Sequence, residues 1–533
     1  MYDWIIKEAL IADGRGTPLY RSDIGIRQNK IAAVCELSKE EGKQTVDGHG
    51  LVAAPGFIDI HSHYDCSIFA DAEMKSVLAQ GVTTVISGQC GSSRAPLDDS
   101  MVEAFARSQA AGAAGAVVPY DWRSFASFLD RVDEMKLGVN MGSLVGHSTT
   151  RLCVLGAESR KPDSGELDRL CRYIADSLEG GALGFSSGLV YVPGMYARTD
   201  ELIAMAKAAA PFKVPYMTHI RSEGNQLVEA VEEALLIART AGVPCHIAHH
   251  KALGRPNWSK IDRTLELIDE ARVQGFDVSC DLYPYPLSTS ALRNILPDWA
   301  LDGGLQAGIA RLRDPEMREQ IRGEILQGGG VNNIWRDSGG AEGVIAMDTP
   351  NTPAYQGLNM EEAARISGKD PLETAFDIIE LNNGCDTACY ATGCEENIVK
   401  VMKKPYAMIG SDAVPATPGA MCNPRTNGTF PRVLRKYVRE EGVLSLSEAV
   451  YKMSGAAADR LKLYGKGRIA VGKDADIVLF DAENVRDRAT VKDPHAAPEG
   501  IEWVFVNGQP AIKNGTYTGA RAGRALRLGA DTR

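Results

Sequence analysis

The sequence predicts an α/β protein: a (β/α)8 barrel that carries an inserted segment, joined to a small β-domain built from both ends of the chain. Three observations predict it. Residues 57–63 (Phe-Ile-Asp-Ile-His-Ser-His) read as a strand that ends in His-x-His. Seven more strand candidates follow, at 82–87, 138–145, 182–185, 214–219, 244–249, 276–283 and 406–412, and most are separated by helix-like stretches such as 226–241 and 260–274. Short apolar patches between turn signals recur at both ends of the chain, within 1–54 and 464–518, and not in the middle.

The N-terminal patches are Ile5-Ile6, Ile24-Gly25-Ile26 and 31–34, punctuated by Asp13-Gly14 and Gln28-Asn29-Lys30. Their C-terminal counterparts are 467–474, 475–480 and 503–507. Residues 55–463 hold the barrel. The stretch between strand candidates seven and eight, 283 to 406, is too long for one βα connection. Residues 287–345 therefore read as an insertion over the barrel mouth, followed by helices such as 371–381. Residues 519–533, rich in Arg, Gly and Ala, read as a loosely held tail.

Composition narrows the class. The chain has 533 residues, 44% hydrophobic and 24% charged, as in ordinary globular enzymes. A net charge of −11 without a long basic run argues against a nucleic-acid partner. No apolar run is long enough to span a bilayer, so no membrane partner is expected, and the opening MYDWIIKEALIADG lacks a signal-peptide pattern. Eleven scattered cysteines fit free thiols and a cytoplasmic location. The oligomeric state is left open.

Side chains alternate along a strand, so Asp59, His61 and His63 face one way at the C-terminal end of strand 1, where barrel enzymes place their chemistry. Comparable ends carry Cys90 just past strand 2, His219 on strand 5, His249 on strand 6 and Asp412 on strand 8. Thiolate, imidazole and carboxylate together suit Zn²⁺. A lone His or Cys at a strand end is usually structural, but metal-binding types on five different strands argue for one centre. His246 and His250 fall on the face opposite His249 and are set aside. His147 reads equally as a mouth residue or a structural hydrogen bond. Cys385, Cys389 and Cys394 lack a fourth ligand at zinc spacing.

The motifs PGFIDIHSH, GVTTVISGQCG, THIRSEG, AHHK and IGSD resemble the amidohydrolase superfamily. With VGHSTTR, GALGFSSGLVYVPG and NGTFPRVL, the chain is similar to the D-aminoacylase (N-acyl-D-amino-acid deacylase) group over nearly its whole length. Strand 4 has no lysine to carboxylate as a metal bridge, unlike hydantoinases. The resemblance implies hydrolysis of N-acyl-D-amino acids by a zinc enzyme. It implies a tight zinc on Cys90, His219 and His249, and a second, weaker site framed by His61 and His63, sharing Cys90 and joined by Asp412. It makes Asp412 the general acid/base, and it places the substrate-binding residues at Tyr191, Lys251, Tyr283 and Arg425, with Thr289 where the family has serine. The loop after Asp412 opens Ala-Val-Pro rather than with glycine and runs about two residues longer before Arg425, which bears on side-chain preference. Arg293, in the loop after strand 7, reads equally as a contact for an acidic side chain or as part of a salt bridge inside the insertion. Alternatives are a dipeptidase cutting L-Xaa-D-Xaa, which needs the same carboxylate clamp, a cyclic-amide hydrolase, disfavoured by the missing lysine, and a non-catalytic relative, disfavoured because all six ligands are present.

Overall fold

The structure, a computed structural model, describes residues 1–110, 118–327, 333–413 and 421–532. Eight parallel strands form the barrel. In chain order they are Phe57–Asp59, Val82–Ser87, Asn140–Ser143 continued by Val145–Gly146, Phe185–Gly188, Tyr216–His219, Cys245–Ile247, Val278–Leu282 and Ala407–Ile409, here barrel strands 1 to 8. Each pairs in parallel with the next. Strand 3 breaks at Leu144, its first half pairing with strand 2 and its second with strand 4. The ring closes just beyond strands 8 and 1, where Asp412 N–H donates to His61 O at 2.8 Å and His63 N–H to Ala413 O at 3.0 Å. Closure thus occurs at the level of the candidate ligands.

Strand 4, expected at 182–185, runs Phe185–Gly188. Ala182 N–H still bonds Ser177 O, but Leu183 N–H already donates to Ser143 O and Gly184 O accepts from Val145 N–H, so pairing with strand 3 begins there and pairing with strand 5 at Phe185. The helices follow from patterning. Leu227–Ala241 buries Leu227, Ala230, Val231, Ala234 and Ile237, a stripe at helical spacing, and stops at Gly242, whose φ of +73° is left-handed. Ser164–Glu179 starts on a capping box in which the Asp163 carboxylate accepts from Glu166 N–H.

Strands from both ends share one nine-stranded sheet, joined where Val52–Pro55 pairs antiparallel with Ile477–Phe480. Its apolar side packs Trp4 against Trp503 and Phe505, with ring centroids 5.9 and 5.4 Å apart. The predicted strand at 467–474 is a loop. Lys466 beside it is buried and donates to Asp474 and Asp476, and Gly467 turns at φ +70°.

The insertion is longer than 287–345. A three-stranded antiparallel sheet places Ala388–Tyr390 between Ser288–Ser290 and Val344–Ala346. Helix Pro371–Leu381 buries Leu372, Phe376 and Ile379 in this segment's own core rather than against the barrel.

The C-terminal segment is not a loose tail. Leu526 is fully buried in a cluster with Ile58, Ile86, Met217 and Met408 of strands 1, 2, 5 and 8. Arg527 pairs with Asp130 and Asp133, and Ala525 N–H donates to Asp133. A run of Arg, Gly and Ala hides one leucine that the barrel needs.

Candidate metal centre

The residues that converge do so because strand ends turn sharply. Cys90, His249 and Asp412 all have left-handed backbones, with φ of +53°, +34° and +47°. Non-glycine residues avoid this region, and such strain of about 1–3 kcal/mol persists only where the surroundings enforce it. Around Cys90 they do. Gly88 has φ +72°, and a Cβ there would lie 2.1 Å from Leu144 O; a Cβ on Gly188 would lie 2.1 Å from Cys90 O. The Ser-Gly-Gln-Cys-Gly turn is therefore clamped between strands 3 and 4.

One donor atom from each of His61, Cys90, His249 and Asp412 lies within 4.8 Å of the others, and all four residues are buried. Cys90 Sγ is 3.4 Å from both His61 Nε2 and His249 Nε2. His63 Nε2 is 3.2 Å from Asp412 Oδ1. His219 joins edge-on to His249, with ring centroids 4.4 Å apart, and its Nδ1 is buried without a hydrogen-bond partner. All six sequence-predicted ligands are thus brought together. Soft sulfur, imidazole nitrogen and carboxylate oxygen packed without intervening apolar groups, with one buried nitrogen orphaned, fit Zn²⁺.

The electrostatics agree. Burial pushes the Cys90 thiol up, but the His61 and His249 imidazoles outweigh it and hold it well below the ordinary thiol range. Burial also pushes Asp412 up, and the Arg425 guanidinium, then His249, outweigh it, so the carboxylate is ionised. Asp59, one turn of the pleat below His61, is pushed up to about 7 by burial, against hydrogen bonds from Ser411.

Two residues were missed. Asp281 of strand 7 is fully buried, with Oδ2 3.2 Å from His61 Nδ1 and 2.7 Å from His246 Nε2, while Oδ1 accepts from His249 N–H at 2.8 Å. Glu223 has Oε1 3.0 Å from His249 Nδ1 and 2.6 Å from Lys251 Nζ, and Oε2 3.5 Å from His219 Nε2. An acidic residue two positions before Tyr283 in a fully buried strand was the available signal for Asp281. For Glu223 it was a carboxylate four residues past a strand-end histidine. His246, set aside as a ligand, holds Asp281. His147 is buried and hydrogen-bonds Glu201, which also receives Arg151.

A cavity of about 340 Å³ opens over the centre, reaching His219, His249 and Asp412. Tyr191, Lys251, Tyr283 and Thr289 line it. Arg425 does not. It is 1% exposed, heads the helix Arg425–Arg432 behind Asp412, and places Nη2 2.9 Å from Asp412 Oδ2 with its guanidinium 4.3 Å from the Tyr283 ring centre. Arg293 lines the outer cavity and donates to Gly384 O. The outer wall is otherwise largely apolar, with Leu152, Val190, Met195, Leu296 and Leu305. Residues 414–420 of the loop after Asp412, including the Val-Pro expected to bear on preference, lie outside the described residues. Cys385, Cys389 and Cys394 are free thiols and form no cluster with other ligand types among the described residues.

Residues 44–512 match the amidohydrolase family. Over 526 residues the chain is 34% identical to a D-aminoacylase from Alcaligenes xylosoxydans xylosoxydans, covering 98% of this chain and 97% of that one. It is 34% identical over 525 residues to an N-acyl-D-glutamate deacylase from the same organism, covering 98% and 96%. Its fold is similar to the crystal structure of an N-acyl-D-glutamate deacylase from Bordetella bronchiseptica, complexed with zinc and a phosphonate that mimics the tetrahedral intermediate, with a TM-score of 0.82 at 30% identity over 99% of each chain.

Proposed function

The chain belongs to the amidohydrolase family, and from that premise we propose that it hydrolyses the amide bond of N-acyl-D-amino acids, releasing a carboxylate and a free D-amino acid. The observation that carries this reading is the buried grouping of Cys90 with His61, His249 and Asp412 at the floor of a cavity walled by Tyr191, Lys251, Tyr283 and Thr289. Cys90, His219 and His249 would hold a tight zinc. His61 and His63, sharing Cys90 and joined by Asp412, would frame a weaker site. Bound zinc supplies Lewis acidity, polarising the amide carbonyl and bringing the pKa of water down to about 7.

The chain's own groups do the rest. Asp412, kept ionised by Arg425, takes a proton from the attacking water and delivers it to the leaving nitrogen. The nitrogen departs as an amine rather than an amide anion. Tyr283 presents a buried hydroxyl without a protein partner, and Tyr191 stands against His219 with ring centroids 5.0 Å apart. These hydroxyls, with Thr289, offer neutral donors to the substrate carboxylate. Lys251 and Arg425 supply positive charge behind them, each shared with a carboxylate of the chain, Glu223 and Asp412. With scissile carbonyl and α-carboxylate both anchored, inversion at the α-carbon would drive the side chain into the wall.

We assign this chemistry to residues 55–463, with the terminal β-domain as its support, and place the protein in the cytoplasm. The ten described cysteines are all free, and no helix among the described residues is long and apolar enough to cross a membrane. The test is kcat/KM on matched N-acetyl-D- and N-acetyl-L-amino acids with the zinc-loaded enzyme. A large D preference is expected, and comparable values would refute the reading. Amidating the substrate carboxylate checks the clamp: wild type should lose most of its activity on the amide, and Lys251→Met, which removes a cation on the cavity wall, should lose a smaller factor. Equal losses in both enzymes would make Lys251 only a partner of Glu223.

A further inference from the structure

His61 and His249 come from strands 1 and 6, yet their surroundings match. Each turns Nε2 toward Cys90 Sγ at 3.4 Å. Each turns Nδ1 onto a buried carboxylate, Asp281 Oδ2 at 3.2 Å for His61 and Glu223 Oε1 at 3.0 Å for His249. A neutral imidazole carries one proton, and the nitrogen that bears it cannot ligate. An ionised carboxylate only accepts, so it draws that proton to Nδ1 and leaves the Nε2 lone pair pointing at the thiolate.

Both carboxylates are themselves held. Asp281 Oδ2 also receives His246 Nε2 at 2.7 Å, and His246 Nδ1 is 2.7 Å from Ser279 Oγ. Its Oδ1 takes the His249 backbone N–H at 2.8 Å, so one side chain steadies a ligand ring on strand 1 and the backbone of a ligand on strand 6. Glu223 Oε1 also receives Lys251 Nζ at 2.6 Å. Lys251 Nζ also lies 2.9 Å from His249 Nδ1; an ammonium only donates, so with Nδ1 protonated both N–H groups aim at Glu223 Oε1.

We propose that Asp281 and Glu223 are paired positioning residues, one for each ligand imidazole that faces Cys90, and that they fix Nε2 as the metal-binding nitrogen of both His61 and His249. Asp281 lies off the cavity, and Glu223, which borders it, has its oxygens turned to Lys251, His249 and His219, so their effect passes through the ligand rings. The inference rests only on the metal-binding part of the proposed function.

The experiment uses the full-length chain, stripped with chelator and titrated with Zn²⁺ against a chromophoric competitor, and separately loaded with Co²⁺ for absorption spectra. Glu223→Gln and Asp281→Asn keep shape and lose the charge. Each should weaken metal binding by roughly 10- to 100-fold, the range typical of lost partners of ligand histidines. Each should also shift the Co²⁺ bands, which a distant structural defect would leave in place. Affinities within about twofold of wild type together with superimposable Co²⁺ spectra would overturn the proposal. Asp281 is deeply buried, so a second measurement does not depend on that variant folding. In ¹⁵N-histidine spectra of wild type with zinc in excess, so that both sites fill, His61 and His249 should each show a protonated Nδ1 and a ligated Nε2, and ligation through Nδ1 at either would overturn it. A wild type that bound no zinc would remove the metalloenzyme reading as well, whereas zinc-binding wild type with indifferent variants removes only this one.

Discussion

Asp412 meets three groups with different demands: His63 at Oδ1, Arg425 at Oδ2 and the cavity above. Its ionisation comes from Arg425, and its reach over the centre comes from its left-handed backbone. Replacing it with Asn keeps the shape and one acceptor but removes the base. Loss of general acid/base assistance typically lowers rate by about 10²- to 10⁴-fold. A zinc-loaded Asp412→Asn enzyme should therefore retain metal and lose kcat in that range, and near-normal kcat would sink the assigned role. At this scale the six candidate ligands were readable from residue type and strand position, and the fold brings them together. Their orientation was not, because it depends on Asp281 and Glu223, whose partners lie between 4 and 220 positions away in sequence.

At the scale of elements, the turn after strand 2 is tightly constrained. Gly88→Ala would set a Cβ against Leu144 O at 2.1 Å in a backbone region that L-residues resist. The turn must move, carrying Cys90 with it. Zinc retention after dialysis should fall, with destabilisation of about 1–3 kcal/mol in urea unfolding; unchanged metal content would show that Cys90 does not depend on this turn. The support of strand 8 offers a pH test. Lys452 is buried, donates to Lys404 O and Ala407 O, and is pulled down to about 8 by burial. Below that pH both folded and unfolded states hold the proton, and the folded state bears the full penalty of a buried charge. Between about 8 and the ordinary lysine value near 10.4 the folded state releases its proton first, so stability from this group rises with pH. Measured against Lys452→Met, wild-type stability should climb from pH 7.5 to 10, and a flat difference would contradict it.

Across the whole molecule, the C-terminal segment completes the barrel. Leu526 fills a space shared by strands 1, 2, 5 and 8. Leu526→Ala should lower stability by about 2–5 kcal/mol, since the surrounding strands cannot collapse into the void. Thermal unfolding would show it as a lower Tm, and an unchanged Tm would mean the segment is dispensable.

The sequence by itself determined the barrel, the shared terminal β-sheet and which strand ends carry the candidate metal ligands, because strand periodicity and residue type are local properties. Tertiary structure alone decided what non-local contacts control. Ala388–Tyr390 belongs to the insertion because it pairs with strands at 288 and 344. An unremarkable tail is anchored because Leu526 joins a buried cluster drawn from four strands. Arg425 lies against Asp412 rather than on the cavity wall because it heads a helix whose first residues are buried, and its guanidinium pairs with that carboxylate. Each depends on which distant surfaces the folded chain brings together, and a one-dimensional pattern carries no record of that.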